Sequence, residues 1–303
     1  MSQTNLPMGV YTANLTPLKE NLSINYKLLI KHCKWLLNNG STGIALLGTT
    51  GEANSFSIKE RKKIVEKTIA GGIPANKLMV GTGCCSLPET VNLTKHAIKF
   101  GVGGVLVLPP FYYKQVAQQG IFNYFDALVQ KVDDKRLRIY LYHIPKMSGL
   151  GFSIPLIKEL HSKYPKMIAG IKDSNGDFSN MQAMVKAFPD FQVFAGTEKY
   201  LLDILKVGGA GCISATCNVT VPLAGEVFET WKAKKSAEKQ NDYLIKVRTS
   251  FEGFPFSGAL KTYIAEISNN SKWLPVRPPN EVLSESDKKK LAERLDKLKF
   301  KLV

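Results

Sequence analysis

A lysine closes an apolar run in Met167-Ile168-Ala169-Gly170-Ile171-Lys172-Asp173, with Pro165 before it and Ser174-Asn175-Gly176 after it. Such a run reads as a buried strand delivered into a turn. Burial disfavours a charged ammonium, and a neutral lysine amine is a nucleophile. The plainer alternative is that the chain leaves the strand here and Lys172 reaches solvent. Other groups of chemical interest also follow apolar runs. Gly48-Thr49-Thr50-Gly51-Glu52 sets two hydroxyls between glycines, a turn whose N–H groups and side chains can hold a carboxylate or phosphate. Pro109-Pro110-Phe111-Tyr112-Tyr113 and Tyr142-His143-Ile144-Pro145 supply phenols. Taken singly, these are a polar turn and aromatic packing. Taken together, an amine, two or more phenols and a hydroxyl pair suit Schiff-base chemistry. The amine attacks a ketone, a phenol shuttles protons and the turn grips an adjacent carboxylate, with no metal or cofactor required.

That chemistry requires elements that bring the groups together. Three segments, at 36–48, 98–110 and 205–216, share a pattern in which a helical stretch ends in glycine and an apolar run follows a second glycine. This is the grammar of alternating helices and strands covered on both faces. It predicts strands near 8–13, 43–48, 78–82, 103–108, 137–142, 167–172, 191–196 and 211–215. Helical patterns separate them, the first marked by Tyr26, Leu29, Ile30, Cys33, Leu36 and Leu37. Ser57 to Glu60 and Ser86 to Glu89 have the form of capping boxes. Eight such strands fit an α/β protein of the (β/α)8 TIM-barrel type, with the site at the C-terminal strand ends. After Pro222 the periodicity is helical only. The expected organisation is therefore a barrel domain over 1–221 and a C-terminal helical appendage over 222–303.

Composition narrows the function classes. A chain of 303 residues with 44% hydrophobic content can bury a large core. The net charge of +16 is carried mostly by lysine, since the 41 basic residues include only six arginines (Arg61, Arg136, Arg138, Arg248, Arg277, Arg294). The lysines are spread along helical patterns beside glutamates, as in Glu60-Arg61-Lys62-Lys63, which fits solvated helix faces better than a nucleic-acid surface. A positive field of this kind can still attract small anions. Five cysteines, Cys33, Cys84, Cys85, Cys212 and Cys217, have neither metal-ligand nor CxxC spacing, and they point to a reducing compartment. Cys84 and Cys85 read as buried thiols. The first twenty residues lack a signal-peptide pattern, and no run reaches the length of a membrane span. The expectation is a cytoplasmic protein with no nucleic-acid or membrane partner.

At this point the motifs resemble a known family. Gly48-Thr49-Thr50-Gly51-Glu52, Pro109-Pro110-Phe111-Tyr112-Tyr113, Tyr142-His143-Ile144-Pro145 and Gly170-Ile171-Lys172-Asp173 are similar, in order and spacing, to signatures of the dihydrodipicolinate synthase / N-acetylneuraminate lyase family of class I pyruvate-dependent aldolases. The likeness extends over nearly the whole chain. It implies that Lys172 forms an imine with pyruvate or another 2-oxo acid and that Tyr142 relays protons. It further implies that Thr49 links Tyr142 to a second tyrosine from a neighbouring subunit, with Tyr112 the better match and Tyr113 the competitor. Thr49 and Thr50 would hold the 2-oxo-acid carboxylate, and the backbone carbonyl of Ile213 would line the pyruvate pocket. A shared tyrosine implies a homodimer or homotetramer.

One position departs from the pattern. Dihydrodipicolinate-forming members usually carry an arginine where this chain has Met147, and a thioether cannot pair bidentately with the carboxylate of an aldehyde substrate. His143 stands where many members have asparagine and reads as a packing or loop residue. The resemblance thus implies a carbon–carbon lyase joining or releasing a 2-oxo acid and an aldehyde. A true 4-hydroxy-tetrahydrodipicolinate synthase, a sugar-acid dehydratase on the same scaffold and a non-catalytic sugar-acid sensor are the alternatives.

Overall fold

In a computed structural model that describes residues 6–302, a closed barrel of eight parallel strands forms from the apolar runs named above. The strands are β1 (Gly9–Ala13), β2 (Gly43–Leu46), β3 (Leu78–Gly81), β4 (Gly104–Val107), β5 (Ile139–His143), β6 (Ile168–Asp173), β7 (Gln192–Ala195) and β8 (Gly211–Ser214). Each expected window contains or overlaps one of them, and β5 and β6 run one residue further than expected. The ring closes where Gly9 of β1 pairs with Gly211 of β8. The N-terminal reading and the outer limits of the two expected domains touch residues 1–5 and 303, which lie outside the described residues.

Between the strands lie α1 (Tyr26–Asn38), α2 (Ile58–Ala70), α3 (Leu87–Lys99), α4 (Gln118–Val132), α5 (Pro145–Ser148), α6 (Ile154–Lys163), α7 (Phe178–Ala187) and α8 (Leu201–Lys206). After β8 come α9 (Cys217–Lys232), α10 (Glu238–Ser250), α11 (Phe256–Ile267) and α12 (Glu285–Lys297). Local chemistry sets the boundaries. Ser57 and Glu60 form the reciprocal capping box that starts α2, and the Ser86 hydroxyl accepts from the Glu89 N–H at 3.4 Å to start α3. After α3 the chain reverses through Gly101 at φ +74°, a left-handed conformation that favours glycine.

Strand side chains alternate between two environments. Tyr11, Met79, Leu106, Tyr140, Phe194 and Ile213 point inward and fill the barrel. Ile44, Val80, Val105, Leu141 and Val193 pack outward with helix residues such as Leu29, Ile64 and Phe125. Each fully buried side chain of this size contributes roughly 1.5–3 kcal/mol. The barrel floor is closed by the Tyr140 hydroxyl, which accepts from the Leu6 N–H at 3.0 Å and donates to Gln192 Oε1 at 2.6 Å.

A second apolar cluster, including Leu15, Phe251, Leu260, Trp273 and Leu291, joins the C-terminal helices to one side of the barrel. Residues 258–265 of α11 are all buried, so this helix has no solvent face along that stretch. Residue 222, where the appendage is expected to begin, lies inside α9. Among the described residues, no helix is long and apolar enough to cross a membrane. Lys62 and Lys63 lie toward the outer side of α2, as expected of a helix face, but Arg61 does not. Its guanidinium turns inward, 3% exposed, and donates to the Gly81 carbonyl at 2.9 Å and Cys84 Sγ at 3.1 Å. Cys84 is buried as expected, whereas Cys85 is partly exposed.

Candidate active site at the barrel mouth

A slip of one residue in strand pairing aims Lys172 into the barrel. Ile168 packs outward, and strict alternation would carry Lys172, four residues on, to the same outer face. Pairing between β5 and β6 instead shifts, with Ile139 opposite Ile168 but Tyr140 opposite Gly170. The extra residue, Ala169, faces the barrel interior, Ile171 then faces the helices, and Lys172 turns inward. Gly170 permits this close passage, because a Cβ there would run into the Gln192 carbonyl oxygen and the Tyr140 ring.

Once inside, Lys172 is opposite Tyr142 in the sheet register. Lys172 is 4% exposed and Tyr142 is 3% exposed. Lys172 Nζ donates to the Tyr142 hydroxyl at 3.3 Å and lies 4.5 Å from the centre of its ring. The Tyr142 hydroxyl is in turn 3.3 Å from Thr49 Oγ1, so amine, phenol and alcohol form one continuous chain. Among the described residues, Lys172 makes no ion pair with a carboxylate. An amine with a phenolic partner and no acid can act on a carbonyl placed beside it, with the phenol as its proton exchange group.

Thr49 belongs to the turn after β2 and is exposed, while Thr50 beside it is buried. The Thr50 carbonyl accepts from Ser257 Oγ at 3.2 Å, and the Gly51 carbonyl accepts from Thr16 Oγ1 at 2.8 Å. Ile213 is fully buried in the inner cluster that also holds Tyr142.

Two candidate residues stand apart from this chain of contacts. Tyr112 is 74% exposed and packs edge to face on Tyr113, with ring centres 5.4 Å apart. Met147, on α5, is 62% exposed. Lys114 ties the loops that carry them together, since its Nζ donates to the carbonyls of Phe111 and Ser148.

His143 and Asp173 follow Tyr142 and Lys172 in sequence and face the opposite way, paired in register behind them. His143 Nδ1 accepts from the Phe152 N–H at 3.0 Å, which leaves that nitrogen unprotonated. Burial lowers the His143 pKa below the ordinary histidine value and raises that of Asp173 above the usual carboxylate range. Asp173 accepts from the Asn175 N–H at 2.8 Å and Asn180 Nδ2 at 2.7 Å. His143 therefore pins the segment before α6 and does not enter the mouth.

One feature escaped the sequence reading. Lys261 of α11 is fully buried and its Nζ is 2.6 Å from Oε1 of Glu52, the last residue of the hydroxyl turn. A signal was available: Lys261 is the one ammonium in Gly258-Ala259-Leu260-Lys261-Thr262-Tyr263-Ile264-Ala265, a helical stretch with little polar surface.

Comparison with known proteins sets this geometry among relatives. Residues 6–298 match the Dihydrodipicolinate synthetase family. An uncharacterized DapA-like lyase of Chloroflexus aurantiacus is 31% identical over 276 residues, covering 90% of this chain and 92% of that protein. A 4-hydroxy-tetrahydrodipicolinate synthase of Bartonella bacilliformis is 29% identical over 282 residues, covering 91% and 94%. Among solved structures, YagE, a prophage protein of E. coli K12 in complex with pyruvate, superposes with a TM-score of 0.88 at 25% identity, covering 98% of this chain and 99% of that one. The dihydrodipicolinate synthase of Agrobacterium tumefaciens gives 0.88 at 27% identity, covering 96% and 99%.

Proposed function

The chain belongs to the dihydrodipicolinate synthetase family and is a Schiff-base carbon–carbon lyase acting on pyruvate; from that premise we propose which residues carry the reaction. The observation that carries the assignment is the buried Lys172 amine, 3.3 Å from the Tyr142 hydroxyl. Lys172 Nζ attacks the ketone carbon of pyruvate, and the carbinolamine loses water to give an imine. Loss of a proton from the adjacent methyl carbon leaves an enamine. The enamine adds to the carbonyl carbon of an aldehyde, and water then releases the product and restores the amine; cleavage is the same sequence reversed. Tyr142 exchanges the protons of imine formation, and Thr49 hands them on through its hydroxyl at 3.3 Å. Thr49 and Thr50 hold the pyruvate carboxylate, and the Ile213 carbonyl lines the pocket.

Tyr112 completes the relay from a neighbouring subunit, with Tyr113 as the competing residue. Two tyrosines exposed at 74% and 67% beside the barrel mouth support this reading, and with it a homodimer or homotetramer. Met147 supports a second substrate without a carboxylate at that position, and so argues against a 4-hydroxy-tetrahydrodipicolinate synthase. The five free cysteines support a cytoplasmic protein. The barrel over 1–221 supplies the chemistry and the helices over 222–303 support it. Borohydride reduction in the presence of pyruvate tests the assignment. A stable adduct on the peptide containing Lys172 is expected, and an adduct on another lysine, or none, refutes it.

A further inference from the structure

The reaction leaves one buried ion pair without a role. Lys261 Nζ is 2.6 Å from Glu52 Oε1, and the two side chains are 0% and 1% exposed. Nζ also donates to the Pro275 carbonyl at 3.2 Å, and Asn280 Nδ2 donates to Glu52 Oε2 at 3.4 Å. Glu52 ends the Gly48-Thr49-Thr50-Gly51-Glu52 turn with φ at +57°, a left-handed conformation that a side chain with a Cβ rarely adopts. Four residues before Lys261, on the same face of α11, Ser257 Oγ donates to the Thr50 carbonyl at 3.2 Å. From the barrel side, Thr16 Oγ1 donates to the Gly51 carbonyl at 2.8 Å. Thr50, Gly51 and Glu52 are thus each held from behind, two of the three by α11.

A fully buried ion pair is weak support for stability, because desolvating both charges offsets their attraction and a well-packed apolar pair often does as well. What it supplies is a fixed partner at a fixed place. We propose that Lys261 is a positioning residue: acting through Glu52, and together with Ser257, it sets the Thr49-Thr50 turn in the geometry that binds the carboxylate of the 2-oxo acid. This rests on the reading that the turn holds that carboxylate while Lys172 forms the imine. The C-terminal helices are then part of substrate selection.

The test compares two ketones on the same amine. Pyruvate carries the carboxylate; acetone offers a ketone without one. The rate of borohydride-trapped labelling on the Lys172 peptide is measured for both in the wild type, Lys261→Met and Ser257→Ala, at a temperature where circular dichroism finds each variant folded. Lys261→Met is expected to lower the pyruvate-to-acetone rate ratio about tenfold, the pyruvate rate falling well beyond any fall in the acetone rate that Thr49's place in the relay brings. Ser257→Ala is expected to lower it about threefold, as for one lost hydrogen bond. If Lys261→Met does not fold, Ser257→Ala decides alone. An unchanged ratio in the folded variants overturns the positioning role, as does an equal fall for both ketones, which would mark a general distortion. No labelling of Lys172 in the wild type would instead refute the assignment of the imine, and the positioning role with it.

Discussion

Among the described residues two lysines are buried, and they differ in what answers their charge. Lys261 sits among α11, the Pro275 carbonyl and the Glu52 carboxylate. Lys172 sits at the barrel mouth with a phenol and the face of its ring. Burial pushes the Lys261 ammonium below the usual lysine range, and Glu52 opposes that shift. A buried lysine tied to a carboxylate is spent on geometry; a buried lysine facing only a hydroxyl has no carboxylate to hold it in place. Depth alone does not separate the two roles, since both are nearly inaccessible. The partner does.

The comparison breaks if the two lysines respond alike to removal. Lys172→Met should abolish turnover and pyruvate trapping, a loss of at least about a thousandfold, because the proposed mechanism gives the imine to Lys172 alone. It leaves no carboxylate unpaired, so the melting temperature should stay the same or rise. Tyr142→Phe should slow imine formation by roughly a hundredfold to ten-thousandfold with little change in stability, measured as the single-turnover trapping rate. Lys261→Met should do the opposite of Lys172→Met. It strands Glu52 in the interior and should cost about 3–5 kcal/mol in denaturant unfolding. Adding Glu52→Gln to Lys261→Met removes the stranded charge and should recover more than half of that loss. Met147→Arg should have the smallest effect: a rise of about tenfold in kcat/KM for aldehydes bearing a carboxylate and little change for those without one.

The two regions were also unequally legible. The barrel was readable because each of its signals is local. Eight short apolar runs, glycines at helix ends and hydroxyl caps at Ser57 and Ser86 lie within a few residues of the boundaries they set. Lys172 stood out because one cation closes one of those runs. Its inward direction was not legible, since it depends on the slipped pairing of Ala169 between β5 and β6, a property of two segments about thirty residues apart. Lys261 was harder still. A lysine in a helix ordinarily marks a solvent face, and the Glu52 carboxylate that answers it is more than two hundred residues away in sequence. Arg61 misled for the same reason, lying among charged neighbours on α2 while reaching inward to the Gly81 carbonyl.

Proton exchange at the methyl group of pyruvate tests the central claim most directly, because it needs the imine and enamine but no aldehyde. In heavy water, followed by proton nuclear magnetic resonance, the wild type should replace the methyl protons of pyruvate with deuterium. Lys261→Met should do so at saturating pyruvate, and Lys172→Met should do so no faster than buffer. Exchange by Lys172→Met at the wild-type rate would contradict the account.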